Sequence, residues 1–346
     1  MALALREAGG HVVGFDEDPS ATQAAVRRGA LDEARPSAAE AVRDADLVVL
    51  CMPVDRMPAV VEELAAVVPP ESVVTDVGSA KEAVVAQGED AFGGRFLGGH
   101  PMAGSERHGI EAADAHLFEG AWWILTPTDN TSSTAYRAVN RMVGAVGANG
   151  FALPPHEHDR MVARLSHVPQ LAASSLVDVA VAGADRDVLL GLAGPGFRDV
   201  TRIAASDPGM WISILKANRR SVLEALDRTG SRLDDVRALI EAGDWDGLGG
   251  FLAAARRARL ELFARPDLSG DPIGLTMLVP DRPGVLAQVT TAAADLRANI
   301  EDLRIVHSTE GGRGRLELIV TGREAAQRLA ETLNELGYHV EPLVDQ

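Results

Sequence analysis

Apolar residues follow two rhythms along this chain. Short, nearly continuous runs at 11–16, 46–53, 72–77, 95–98 and 121–125 end in polar or chain-breaking residues. β-Branched runs of that length predict strands buried on both faces. Between them, 19–29, 37–44, 55–67, 79–91 and 132–148 read as helices. Strands alternating with helices predict a parallel, doubly wound α/β sheet. The chain opens inside a helix that stops at Gly9-Gly10, followed by an apolar strand ending at Asp16. That is the second half of a dinucleotide-binding unit. Its first half, a strand and a Gly-x-Gly-x-x-Gly turn, does not precede it, so the sheet is expected to lack its first strand. Of two explanations, a start site placed too far downstream is favoured over a chain without a phosphate loop. Roughly 15–30 residues, one strand and its turn, would then precede Met1.

From 154 to 264 strand signals give way to long helical periods at 159–182, 208–229 and 232–264. This predicts an all-helical domain, of the kind that buries its apolar faces in a dimer. The Pro- and Gly-bearing stretch 265–272 reads as a linker. Beyond it, 273–346 spells strand, helix, two strands, helix and strand, a ferredoxin-like βαββαβ unit. The expected division is therefore 1–153, 154–264, a linker at 265–272, and 273–346.

Composition narrows the partners. A net charge of −17 over 346 residues argues against nucleic acid as the main ligand. No apolar run approaches the ~18 residues of a membrane helix. The single cysteine, Cys51, excludes an intrachain disulfide and a multi-cysteine zinc site, and suits the cytoplasm.

Several segments carry candidate chemistry. Asp16 reads either as a ligand for the adenosine ribose hydroxyls, favouring NAD over NADP, or as a turn acid. In Thr75-Asp-Val-Gly-Ser-Ala-Lys81, Ser79 opens a helix at a strand end, to bond a ligand, to cap the helix, or both. In Gly98-Gly-His-Pro-Met-Ala-Gly-Ser-Glu-Arg-His-Gly109, glycines and prolines are expected to freeze an irregular loop around His100, a hydrogen-bond acceptor or base near neutral pH. His156-Glu-His-Asp159 is a weak metal set, and no metal is expected. Pro169 is expected to kink its helix. Spacing of four places His158, Val162, Ser166 and Gln170 on one stripe, a pocket wall or a solvated face. Arg198 and Arg202 read as a carboxylate clamp or as a surface pair with Asp199.

The succession Asp-Val-Gly-Ser-x-Lys, Gly-His-Pro-Met-Ala-Gly-Ser-Glu, Ser-His-x-Pro, Gly-Phe-x-Asp-x-Thr-Arg-Ile-Ala and Ser-Asp-Pro-x-Met-Trp resembles the prephenate dehydrogenase family over about residues 1–264. The unit with Asp281-Arg-Pro-Gly-Val-Leu286 looks like an ACT regulatory domain. The resemblance implies a Rossmann-type sheet, a helical dimerisation domain, and NAD-linked oxidative decarboxylation of prephenate to 4-hydroxyphenylpyruvate. It implies His100 as acceptor for the C4 hydroxyl, with Ser79 orienting that hydroxyl and the nicotinamide. Arg202, with Ser166, His167, Gln170, Glu106, Asp199 and Trp211, would surround the substrate. Asp16, Met52, Pro53, Val54, Gly78 and Ser79 would hold NAD. Asp281, Pro283, Gly284, Val285, Leu286, Asn299 and Ile300 would bind an amino-acid effector, tyrosine first. A homodimer is implied. Gln170 replaces a histidine that close relatives often carry, which keeps arogenate open as a substrate. The absent Gly-rich turn keeps open an inactive amino-acid-binding regulator.

Overall fold

The computed structural model describes residues 1–104, 109–182, 191–262, 272–280, 285–296, 298, 300–307 and 313–342. Met1–Ala238 forms one compact unit and Leu239–Gln346 another.

The first unit opens with α1 (Ala2–Glu7), β1 (Val13–Gly14), α2 (Pro19–Arg27), β2 (Glu33–Ala34), α3 (Ala38–Ala41) and β3 (Leu47–Leu50). It continues with α4 (Met57–Leu64), β4 (Val73–Asp76), α5 (Glu82–Phe92), β5 (Phe96–Pro101), β6 (Trp122–Thr126), α6 (Ser133–Ala145) and β7 (Asn149–Ala152). The alternation is the one the apolar runs predict, and the fold is a Rossmann-like α/β sheet flanked by helices. Helix starts follow local chemistry: Asp18, Ser37 and Ser132 each accept a main-chain N–H of the following turn.

Two features depart from a single parallel sheet. The strands form a β1–β2 pair and a separate five-stranded sheet in the order β3-β4-β5-β6-β7. β6 runs antiparallel to β5, with Gly98 opposite Thr126 and Pro101 opposite Trp123. A parallel neighbour needs a crossover helix. Among the described residues between β5 and β6 there is only a 3-10 turn, Ile110–Ala112. His100 and Pro101 therefore belong to a paired strand and not to an irregular loop. Gly98 and Gly99 are needed there for space. A Cβ on Gly98 would lie 2.4 Å from Thr126 Oγ1, and one on Gly99 2.8 Å from Trp123 Nε1. The core on one side of the sheet gathers Val48, Leu50, Met57, Val61, Val74, Val84 and Phe96. The other side gathers Leu97, Trp123, Leu125, Val139 and Val143.

The helices that follow are α7 (Pro155–Val162), a π-helical turn at Ala163–His167, α8 (Val168–Val181), α9 (Pro195–Thr201), α10 (Pro208–Ala217), α11 (Arg219–Ala242) and α12 (Trp245–Leu262). The helix expected over 208–229 breaks at Asn218, whose side chain is drawn into the site described below. Just ahead of Pro169 the helix takes a π turn. A π turn widens the helix and frees main-chain groups, and such turns concentrate at functional sites.

In the second unit the βαββαβ order holds: β8 (Pro272–Pro280), α13 (Val285–Asp295), β9 (Ile300–His307), β10 (Arg313–Thr321), α14 (Arg323–Glu335) and β11 (Val340–Pro342). The sheet order is β11-β8-β10-β9, antiparallel throughout. Its core is Met277, Val285, Val289, Leu316, Leu318, Leu329 and Leu333.

Candidate active site

The candidate residues stand at or just beyond the carboxyl ends of strands. His100 is near the end of β5. Ser79 follows β4 in the turn before α5, and Met52 and Pro53 follow β3. Asp16 follows β1, with Oδ1 accepting the N–H of Asp18. Gly78 is pulled down by its N–H to Asp76 Oδ2 at 2.8 Å, and a Cβ there would lie 3.0 Å from Val54. Val54 itself is buried in the core and supports this turn. An exposed acid at one strand end and a close-packed glycine turn at another fit a dinucleotide laid across the edge.

Ser79 does not cap α5. Asp159, on α7, does so from outside: Oδ1 accepts the N–H of Lys81 at 2.7 Å and Oδ2 that of Glu82 at 3.0 Å. The Ser79 hydroxyl has no partner among the described residues, which leaves it available to a ligand.

Asp159 also begins a chain of histidines. His158 Nδ1 lies 2.8 Å from Asp159 Oδ1, and His158 Nε2 lies 2.8 Å from His100 Nδ1. With three N–H groups converging on it, the carboxylate acts as acceptor throughout, so His158 carries its proton on Nδ1. His158 Nε2 is then an acceptor, and His100 Nδ1–H donates to it. The network thus assigns His100 a free lone pair on Nε2. Burial holds His100 well below the ordinary imidazole range, helped by the nearby charges of His158, Lys81 and His167. Burial also lowers His158, against the opposing pull of Asp159. The result is a neutral relay that ends in a hydrogen-bond acceptor.

The π turn supplies the next group. Across it His158, Val162 and Gln170, three of the four positions on the stripe drawn by spacing of four, are buried. Ser166 stays half-buried while His167 is buried. Asn218, at the break between α10 and α11, donates Nδ2–H to the Asp159 carbonyl at 2.8 Å and faces His167 Nδ1 at 3.3 Å. His167 therefore accepts on Nδ1 and presents Nε2–H. Its ring meets the edge of Trp211, centroids 5.9 Å apart. Trp211 Nε1 and Gln170 Oε1 are buried without a hydrogen-bond partner. Buried polar atoms are normally paired, so these await a ligand or an ordered water. Arg202 opens the 3-10 turn Arg202–Ala205 after α9 and is exposed, close in sequence to Asp199. Glu106 lies outside the described residues, as do Asp281, Pro283, Gly284, Asn299 and the Leu286 side chain. Val285 sits in the second unit's core, with Ile300 packed against it.

The glycine-rich run singled out His100, spacing of four His158 and Gln170, and the family resemblance His167, but none of these gave the roles of His158, Asp159 and Asn218 in the network. The adjacent His158-Asp159 pair, with His158 four residues ahead of apolar Val162 on a helix otherwise exposed at His156, Arg160 and Met161, is the signal that could have marked it.

Three buried neutral histidines make the fold acid-sensitive. Burial depresses His167 to about 4. A histidine with a folded value below its unfolded ~6.5 contributes stability in full above pH ~6.5 and loses it as pH falls toward the folded value. For His167 alone the loss is up to about 3 kcal/mol. The melting temperature is expected to fall steadily from pH 6.5 to 4.5. In His167→Phe the fall should be shallower, and equal slopes would show that His167 titrates normally.

A nucleotide-binding sheet with a neutral histidine relay at its carboxyl edge, followed by a helical domain, defines a dinucleotide-dependent dehydrogenase. Residues 1–151 match the family model "Prephenate dehydrogenase, nucleotide-binding domain" and residues 154–254 "Prephenate dehydrogenase, dimerization domain". Residues 275–340 match "AHAS small subunit-like ACT domain". The chain is 33% identical over 325 residues to the prephenate dehydrogenase of Bacillus subtilis, covering 92% of this chain and 88% of the relative. The structure of the Aquifex aeolicus prephenate dehydrogenase in complex with hydroxyphenyl propionate and NAD+ superposes with a TM-score of 0.71 at 33% identity. That match covers 75% of this chain and 93% of the other. Synechocystis arogenate dehydrogenase superposes at 0.66 with 29% identity, covering 75% and 95%. The chain belongs to the prephenate dehydrogenase family.

Proposed function

We propose that this protein carries out the NAD-linked oxidative decarboxylation of prephenate to 4-hydroxyphenylpyruvate, with His100 as acceptor for the C4 hydroxyl. The observation that carries this reading is the Asp159–His158–His100 chain, which leaves a neutral Nε2 lone pair on a strand end beside the nucleotide-binding edge. Asp16, Met52, Pro53, Gly78 and Ser79 would hold NAD. The nicotinamide, when bound, supplies the hydride acceptor. His100 holds the hydroxyl proton while the C4–O bond gains carbonyl character, and Ser79 fixes the hydroxyl's direction. Loss of CO₂ from C1 makes the ring aromatic, so the protein's task is chiefly positioning. His167 Nε2–H, Trp211 Nε1–H and the Arg202 guanidinium supply donors for the carboxylates and side chain. Gln170 adds a neutral amide to the same lining.

The domain division 1–153, 154–264 and 273–346 fits this assignment. The helical part acts as a homodimer interface, supported by exposed apolar side chains on α8, α9 and α10, among them Val179, Val200 and Ile212. The ACT-like unit binds an amino-acid effector, with tyrosine the first candidate. Among the described residues no helix is long and apolar enough to cross a membrane, and the one thiol suits a cytoplasmic site of action.

The protein is expected to reduce NAD with prephenate faster than with arogenate, and added tyrosine to slow the reaction. Faster turnover of arogenate would move the substrate reading to that compound. Turnover of neither would leave the amino-acid-binding regulator as the better reading.

A further inference from the structure

Lys81 is fully buried, and the chemistry proposed above makes no use of it. Its Nζ pairs with Asp76 Oδ2 and donates to the main-chain oxygen of Gly99 at 3.0 Å. Gly99 immediately precedes His100. Asp76 grips the same residue from the other side, Oδ1 accepting the Gly99 N–H at 3.2 Å, while its Oδ2 accepts the Gly78 N–H. The main-chain N–H of Lys81 goes to Asp159, the other end of the histidine chain. One residue therefore touches both the strand that carries His100 and the carboxylate that orients His158. Exchanging both partners of a buried ion pair for neutral residues is often neutral or stabilising, so stability alone is a weak reason for such a pair. Fixing a register is its best-attested use.

We propose that the Lys81 side chain, paired with Asp76, is the positioning group for His100 at the end of the His100–His158–Asp159 chain, holding it through Gly99 while the main-chain N–H of residue 81 meets Asp159. The inference rests on His100 being the acceptor group of the site. The ionisable groups facing His100 are His158 and Asp159 from α7, His167 from the π turn, Asp76 from β4 and Lys81 itself. Residues 105–108 of the adjoining segment lie outside the described residues. The Lys81 ammonium disfavours a charged His100, and the paired Asp76 carboxylate opposes it, so removing the two together leaves the local net charge unchanged and tests position alone.

Lys81→Met alone strands the Asp76 carboxylate in the interior and threatens the fold. The informative variant is the double exchange Asp76→Asn/Lys81→Met, which removes both charges together. It is expected to fold and to keep KM for prephenate within about twofold. Its kcat should fall roughly tenfold to a hundredfold, the scale of a small misplacement of a reacting group. Nitrogen-resolved NMR of the histidine rings in the unliganded protein should show His100 losing its single Nδ1–H form. A double variant with the wild-type His100 tautomer, and kcat within twofold, would overturn the proposal. If the wild type itself does not turn over prephenate, the functional reading falls, and the ring tautomer still decides the role of Lys81.

Discussion

Asparagine in place of His100 lowers kcat by about 10²–10⁴-fold, the usual worth of a positioned acid–base group, and leaves NAD affinity nearly unchanged. The reason is local. An asparagine amide can still donate toward His158 Nε2, so the contact that closes the relay survives. What is lost is the basic nitrogen facing the substrate hydroxyl. Asp16 and Gly78 stand at the ends of other strands, so the nucleotide edge is undisturbed. Steady-state kinetics with prephenate, alongside a fluorescence titration with NAD, separates the two effects. A variant that keeps kcat within a few-fold would remove His100 from the chemistry. A variant that loses NAD binding in parallel would make it structural.

The second large effect is on stability. Asp159→Ala deprives the N–H groups of Lys81 and Glu82 and the Nδ1–H of His158 of their acceptor. A buried donor left unpaired costs about 1–3 kcal/mol. Partial access of water to Glu82 holds the total near 3 kcal/mol. For a unit of this size each kcal/mol lowers Tm by about 2–4 °C, so the melting point should drop by roughly 6–12 °C. Asp159→Asn, which keeps one carbonyl oxygen, should fall between the two. Differential scanning calorimetry measures this directly, and a drop below about 2 °C would mean that Asp159 does not cap α5. Activity should fall in both variants, because the charge that fixes the His158 proton on Nδ1 has gone.

Much of the architecture was legible in the chain, because it depends on local rhythm. Short β-branched runs mark β3, β4 and β6. The repeated strand–helix order of 273–346 predicts its sheet. The site was legible only in part. His100 is marked by its glycines and by Pro101, and Gln170 by the spacing-of-four stripe it shares with His158. The hydrogen-bonded network is not, because its contacts join residues 58 and 78 positions apart. The π turn shifts the helix phase by one residue between Val162 and Val168, and no simple spacing anticipates that. The reversal of β6 goes with a connection in which, among the described residues, only a 3-10 turn follows β5, and apolar periodicity does not register that.

The cap that Asp159 places on α5 bears on how the molecule comes apart. The family matches divide the chain at 151 and 154, whereas the compact unit runs on to Ala238. The start of α5 is completed only by a side chain from beyond that division. The nucleotide-binding sheet and the first helices after it therefore melt as one cooperative body. Cutting the chain between them would leave a fragment with an open helix end, two orphaned amides and half of its proton-holding apparatus.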